Sequence, residues 1–328
     1  MGIEAPAEVK YGLIHEAVRH DDNLLNISYL CRLAGVSRSG YYAWLDAAPI
    51  RQAREECDKL DFDKVLEAFR YRYPKGARGI YMRLLHTGER MNLKKIRRLM
   101  RKYGLKCPFR KPNPYKQLAR ALRTNTVAPN VVNREFISRG VRRVLLTDIT
   151  YLFYKGGCCY LSTILDAVTH EILAWQVSES LQVQFVLDTV EELLRKHGAE
   201  LDNETIVHSD QGCHYTSKAF IARLKDAEFV QSMSRKGNCW DNAPQESFFG
   251  HMKDEIAWLL AEYETFRQVE AQLEDWMDYY NNDRYQWGLL KLSPAQFYRY
   301  KVTGIYPLPN YEGRQTTNLR GAAPVPEV

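Results

Sequence analysis

The chain has 328 residues, 45% of them hydrophobic and 26% charged, which suits two or three compact units of ordinary globular composition. No apolar run reaches bilayer-spanning length, and Met1 to His20 carries Glu4, Glu8 and Glu16 where a signal peptide needs an apolar core; a cytoplasmic protein is expected. The seven cysteines include no Cys-x-x-Cys pair, so zinc-knuckle and disulfide scaffolds give way to reduced, mostly buried thiols.

Val9 to Leu45 reads as helical. Ile27 to Trp44 has a helix-turn-helix rhythm in which Leu30 and Leu33 face a core, Gly35 turns, Val36 plugs the turn and Ser37 caps a second helix presenting Arg38. An ordinary helical hairpin reads the same way. A loop around Ala47 to Arg51, containing Pro49, follows. A second helical unit runs from about Lys59 to Tyr103, broken at Pro74-Lys-Gly76 and turned at Gly88, with Asn92 capping Leu93 to Met100. The formal net charge is only +6, yet Arg90 to Arg123 holds thirteen Lys and Arg and no acid. Like charges crowd this way when a polyanion faces them, so Lys94, Lys95, Arg97, Arg98, Arg101 and Lys102 are candidate phosphate contacts.

From Val141 the texture changes. Val144 to Tyr154, Cys158 to Leu165 and Glu171 to Val177 form a meander of β-branched and aromatic strands. A helix (Val183 to His197), a strand (Glu204 to Ser209), a helix from Ser217, a strand (Phe229 to Met233) and a long helix from Asn242 follow. This is the order of an α/β ribonuclease H-like catalytic domain, a mixed sheet with flanking helices, preceded by all-α helix-turn-helix modules. The expected boundaries are residues 1–52 and 53–115 for the two helical modules, 116–138 for a basic linker, 139–302 for the catalytic core and 303–328 for a tail.

Three acids stand in unusual places. Asp148 interrupts an apolar strand, Asp210 ends a strand ahead of Gln211-Gly212, and Glu246 lies in the first turn of a helix. A carboxylate within a strand pattern is disfavoured unless it is paired or binds metal. Singly, Asp210 is explained by its turn and Glu246 by the helix dipole. Together, at strand ends and a helix start, the three can converge. Clustered carboxylates repel and call for cations, and all-oxygen ligands suit Mg²⁺, with Mn²⁺ as substitute, as a pair of ions for in-line displacement at phosphorus. His208 and His214, which flank Asp210, read as packed histidines, and Asp166 as a turn residue.

Thr147-Asp-Ile-Thr-Tyr151, His208-Ser-Asp-Gln-Gly212 and Gly237-Asn-Cys-Trp-Asp-Asn-Ala-Pro-Gln-Glu-Ser-Phe-Phe249, with 35 residues between Asp210 and Glu246, resemble the catalytic blocks of OrfB-type transposases of the IS-three family of bacterial insertion sequences, relatives of retroviral integrases. Tyr279-Tyr-Asn-Asn-Asp-Arg284 with Leu292-Ser-Pro294 resembles the family's C-terminal signature, with Gln286 at a position where relatives carry His. The resemblance implies that Asp148, Asp210 and Glu246 are the metal-binding catalytic triad. It implies that Lys253, two helical turns after Glu246, contacts a phosphate, and that Asn238, Trp240 and Asn242 touch DNA near the cut. The implied partners are the element's terminal inverted repeats, target DNA, further copies of the chain, and an upstream-frame protein with a helix-turn-helix and leucine zipper. Competing readings are a structure-specific nuclease of the same fold and a non-catalytic DNA-binding regulator. Seven acids between residues 261 and 284 face two arginines, and that segment is expected to meet solvent or a basic partner subunit.

Overall fold

The computed structural model describes residues 5–108, 139–234 and 243–308. It divides into two compact units, Met1–Glu67 and Ala68–Val328.

In the first unit, α1 (Ala7–Arg19), α2 (Ile27–Ala34) and α3 (Arg38–Asp46) close over Ile14, Leu30, Cys31 and Tyr41. Gly35 ends α2 in the left-handed conformation at φ 66°, and the Ser37 hydroxyl accepts the Gly40 N–H to start α3, as the turn chemistry requires. Leu33 does not face the core: it is 72% exposed, and Cys31 and Tyr41 fill the place expected for it. The expected loop at Ala47 to Arg51 is helix. α4 runs unbroken from Ala48 to Arg70, with Pro49 in its first turn, where a missing N–H costs nothing.

In the second unit, α5 (Ala77–His86) and α6 (Leu93–Lys102) pack together. Asn92 caps α6 by accepting the Lys94 N–H, and Ile96 and Leu99 are buried. β1 (Val144–Tyr154), β2 (Gly157–Asp166) and β3 (Ile172–Ser178) form an antiparallel meander. α7 (Val183–His197), β4 (Ile206–Ser209), α8 (Lys218–Asp226) and β5 (Val230–Met233) follow, and β4 and β5 run parallel to β1. The sheet order is β3-β2-β1-β4-β5, so β1 is central. α7 and α8 cover one face through Phe185, Val190, Leu193, Phe220 and Leu224. α9 (Ala243–Leu260) and α10 (Phe266–Asn282) cover the other through Phe248, Met252, Ile256, Leu273 and Trp276. A mixed sheet in this order with helices on both faces is the ribonuclease H-like arrangement. α11 (Pro294–Thr303) closes the described chain, with Ser293 and Gln296 forming a capping box.

The acidic 261–284 segment meets solvent, as expected, at Glu262, Glu264, Glu270, Glu274, Asp275 and Asp278, and three of its acids also find a cation within the unit. Arg72 spans Asp275 at 2.7 Å, Asp278 at 2.8 Å and Asp283 at 3.1 Å, and the Tyr73 hydroxyl donates to Asp275. The basic partner is a segment of the same unit, brought close by folding. Of the six described cysteines only Cys31 and Cys159 are buried, so the expectation of mostly buried thiols fails at Cys57, Cys107, Cys158 and Cys213. No helix among the described residues is long and apolar enough to cross a membrane.

Candidate active site

The strand period places Asp148. Leu146 faces the α9 side of the sheet together with Ile206 of β4, and two residues on, Asp148 returns to that face. Leu146 of β1 lies opposite His208 of β4 in the last paired rung. Two residues beyond that rung on each strand stand Asp148 and Asp210, where the two strands part. Asp210 is held by its own turn. Its Oδ1 accepts the Gly212 N–H at 2.9 Å, and a Cβ on Gly212 would stand 2.9 Å from that same oxygen, so a larger residue there displaces the Asp210 carboxylate.

Glu246 arrives from α9, and the residue before it explains how. Gln245 is fully buried and donates from Nε2 to the Thr163 hydroxyl of β2. Thr163 is the register partner of Asp148 across the β1–β2 ladder. One hydrogen bond therefore ties the first turn of α9 to the rung that carries Asp148. Gln245 was not among the residues expected at the site. Its signal is present in the sequence: an amide directly before the acid of the Asn-Ala-Pro-Gln-Glu block. Beneath the site, the buried Tyr215 hydroxyl lies 3.4 Å from the Thr147 hydroxyl. Burial, reinforced by the charges of Asp148 and Asp210, holds Tyr215 neutral well above the usual tyrosine range.

Electrostatics join the three acids. Burial pushes the Asp148 carboxyl up to about 7, and the like charges of Asp210 and Glu246 push in the same direction. The N–H of Ile149, donating to Oδ1 at 2.8 Å, and the ammonium of Lys253 oppose this. Lys253 thus shares the site; burial lowers its own pKa while Asp148 raises it. Glu246 and Lys253 both lie on the exposed side of α9. Among the described residues no three His, Cys, Asp or Glu side chains are gathered tightly enough to grip a metal ion. Asp148 and Asp210 each turn one oxygen to a backbone N–H instead.

The other sequence candidates separate. On α6, Lys94, Arg97, Arg98, Arg101 and Lys102 are exposed and Lys95 is half-buried, a basic face opposite the apolar one. Arg38 is exposed at the start of α3, 3.4 Å from the Ser28 hydroxyl. Asn238, Trp240 and Asn242 lie outside the described residues. His208 and His214 are packed, as expected: His208 bonds the Ser232 hydroxyl at 3.0 Å and His214 the Leu181 carbonyl at 2.9 Å. Asp166 is fully buried, accepting the N–H groups of Arg142 and Val168, which is the turn role. The C-terminal signature is structural. Tyr279 and Tyr280 are core residues, Asn281 pairs with both backbone groups of Ile172, and Arg284 forms a buried bidentate ion pair with Glu255.

The fold and the family match define an integrase-type catalytic core. The Integrase core domain family matches residues 139–239 and, through a second model of that description, residues 246–301, and an HTH-like domain matches residues 56–113. The chain is 30% identical over 285 residues to the transposase InsF for insertion sequence IS3A of Escherichia coli K12, covering 83% of this chain and 93% of that protein. It is 30% identical over 268 residues to the putative transposase InsK for IS150 of the same organism, covering 82% and 92%. Among solved structures, the catalytic core of BIV integrase covers 50% of this chain and 95% of its own at 17% identity and a TM-score of 0.39. The catalytic domain of Mos1 mariner transposase covers 46% and 85% at 15% identity and a TM-score of 0.36. The chain belongs to the insertion-sequence transposases of the IS3 family, and its activity is DNA transposition, the work of a polynucleotidyl transferase.

Proposed function

We propose that Asp148, Asp210 and Glu246 form the catalytic carboxylate triad, and that the enzyme cuts the terminal inverted repeats of its element and joins the freed 3′ ends to new phosphates. The observation that carries this reading is Asp148: a carboxyl buried in the central strand, with Asp210 and Glu246 as its charged neighbours. The donor set fits Mg²⁺ or Mn²⁺. All three ligands are oxygens, which these hard cations prefer, and a divalent cation reverses the unfavourable burial of the Asp148 charge. Two such ions, when bound, supply activation of the attacking oxygen and charge stabilisation of the leaving one.

The chain's own residues do the rest. Asp148 and Asp210 stand where β1 and β4 part, and Gln245 anchors the first turn of α9, which carries Glu246. Lys253, on the Glu246 side of α9, holds a phosphate of the element end. The basic face of α6 grips duplex phosphates without reading sequence, and Arg38 contacts DNA from the helix-turn-helix of the first unit. Asn238, Trp240 and Asn242 contact DNA near the cut. The two helical modules (1–52 and 53–115), the basic linker (116–138) and the core (139–302) then act as successive DNA-holding segments. Attack by a 3′-hydroxyl in place of water requires two DNA ends held together at high effective concentration, and therefore more than one subunit.

Purified protein, supplied with both element ends, Mg²⁺, target plasmid and any upstream-frame partner, is expected to give joined products. Asp148→Ala, Asp210→Ala and Glu246→Ala are each expected to abolish cleavage while leaving DNA binding intact. Nicked DNA without joined product transfers the assignment to a nuclease. Cleavage at the wild-type rate in any one variant removes that residue from the triad.

A further inference from the structure

Beside α9 lies a cleft of about 630 Å³ whose walls include Lys75, Arg78, Arg97, His251, Asp254 and Trp287. Two further acids of its wall are committed elsewhere. Glu255 is paired with Arg284 at 2.8 Å, and Asp283 with Arg72 at 3.1 Å. The cleft is therefore basic towards a ligand. Trp287 stands on its rim 46% exposed, with the Arg78 guanidinium and the Lys291 ammonium each 5.2 Å from its ring centroid. A half-exposed indole with cations over its ring offers what a nucleotide needs: an aromatic face that a base takes by displacing a cation, and positive charge for the phosphates on either side.

A second, separate observation connects this cleft with the acids. Gly250 lies inside the 18-residue helix α9, and nothing stands within 4 Å of where its Cβ would be. Glycine is among the poorest helix formers, and no packing within the described chain asks for it here. At ~100° per residue, Gly250 lies about 40° round the helix from Glu246, and Asp254, on the cleft wall, about 40° further. The bare backbone at Gly250 is thus a low crossing point between the acids and the cleft.

Resting on the triad reading above, we propose that the DNA strand leaving the cut phosphate crosses α9 over Gly250 and lays an unpaired base on Trp287 in this cleft, with Arg78 and Arg97 on its phosphates. The substrate class is an end with single-stranded character. Duplex is held along the rest of the basic face of α6, beyond Arg97.

The test is binding without metal, so cleavage does not enter. Fluorescence anisotropy compares the full chain on a blunt duplex and on the same duplex carrying a single-stranded extension, in EDTA. Wild type is expected to prefer the extended DNA. Trp287→Leu is expected to lose roughly tenfold in affinity for it, as for the loss of one base–aromatic stack, with the blunt duplex unaffected and Trp287→Phe retaining most of the preference. Gly250→Gln is expected to weaken binding of the extended DNA while its melting temperature stays level or rises, because the helix improves. If Trp287→Leu does not fold, Gly250→Gln carries the same comparison. Equal affinity of wild type and variants for the extended DNA overturns the proposal, and so does equal loss on both DNAs, which makes the cleft a duplex site. Glu246→Gln separates the two readings: its cleavage tests the triad, while its preference for extended DNA survives if the seat is real.

Discussion

Gln245 is where the positioning of the site is most open to measurement. Replacing it with Met keeps the side-chain volume and removes the hydrogen bond to Thr163. Thr163 is fully buried, so its hydroxyl loses a partner that water cannot replace. An unsatisfied buried group costs about 1–3 kcal/mol. For a unit of this size each kcal/mol moves the midpoint by roughly 2–4 °C, so a fall of about 2–12 °C is expected in thermal melts. The effect on catalysis is expected to be larger in proportion. The bond ties the first turn of α9 to the rung shared by Thr163 and Asp148, so losing it frees Glu246 to shift relative to Asp148. A misplacement of about 1 Å costs on the order of 100-fold in rate. The assay is single-turnover cleavage of an element-end duplex at saturating protein, well below the variant's melting temperature, with duplex affinity measured alongside. Lowered stability with an unchanged cleavage rate refutes the argument, because the tether then holds the fold without placing the acid.

Other expectations follow from the same structure. Asp148→Asn removes a buried charge set against two carboxylates, so without metal the variant is expected to melt no lower than wild type although it cannot cleave. Adding Mg²⁺ is expected to raise the melting temperature of wild type and not of this variant, since ions that bind only the folded state stabilise it. Replacing Lys94, Lys95, Arg97 and Arg98 with Ala is expected to flatten the log–log salt dependence of duplex binding by several units, at roughly 0.9 for each phosphate no longer neutralised; an unchanged slope makes α6 an ordinary solvated face. Lys75 provides a pH signature. Burial lowers its pKa from 10.5 to about 8, although its ammonium donates to the carbonyls of Tyr71 and Tyr73. Between those values the folded chain has released a proton that the unfolded chain still holds, so this group makes stability rise with pH across that window. Lys75→Met is expected to remove that rise in urea denaturation series.

Periodicity and local turn chemistry made much of the fold legible in the sequence. The alternation of Val144 to Tyr154, the caps at Ser37 and Asn92 and the left-handed turn at Gly35 act over a few residues, so they are present in the string itself. The position of Glu246 behind Pro244 in a helix's first turn belongs with them, as does the oddity of Asp148 in an apolar strand. The competition among distant segments is not in the string. Leu33 has the spacing of a core residue, yet Tyr41 and Cys31 reached the core of the first unit in its place. Pro49 reads as a loop until α4 is seen to begin one residue before it, where proline is harmless. The acids near Asp278 read as a surface awaiting a partner because Arg72 lies some two hundred residues away, and only chain folding supplies it. The same holds at the site. The sequence set three acids together as a cluster that can converge, but their mutual influence depends on β1 and β4 running parallel in one register and on Gln245 reaching Thr163 across 82 residues. Local sequence chooses conformations because its energies are local; convergence of charges is a property of the packed sheet and helix, and the tertiary structure alone decided it.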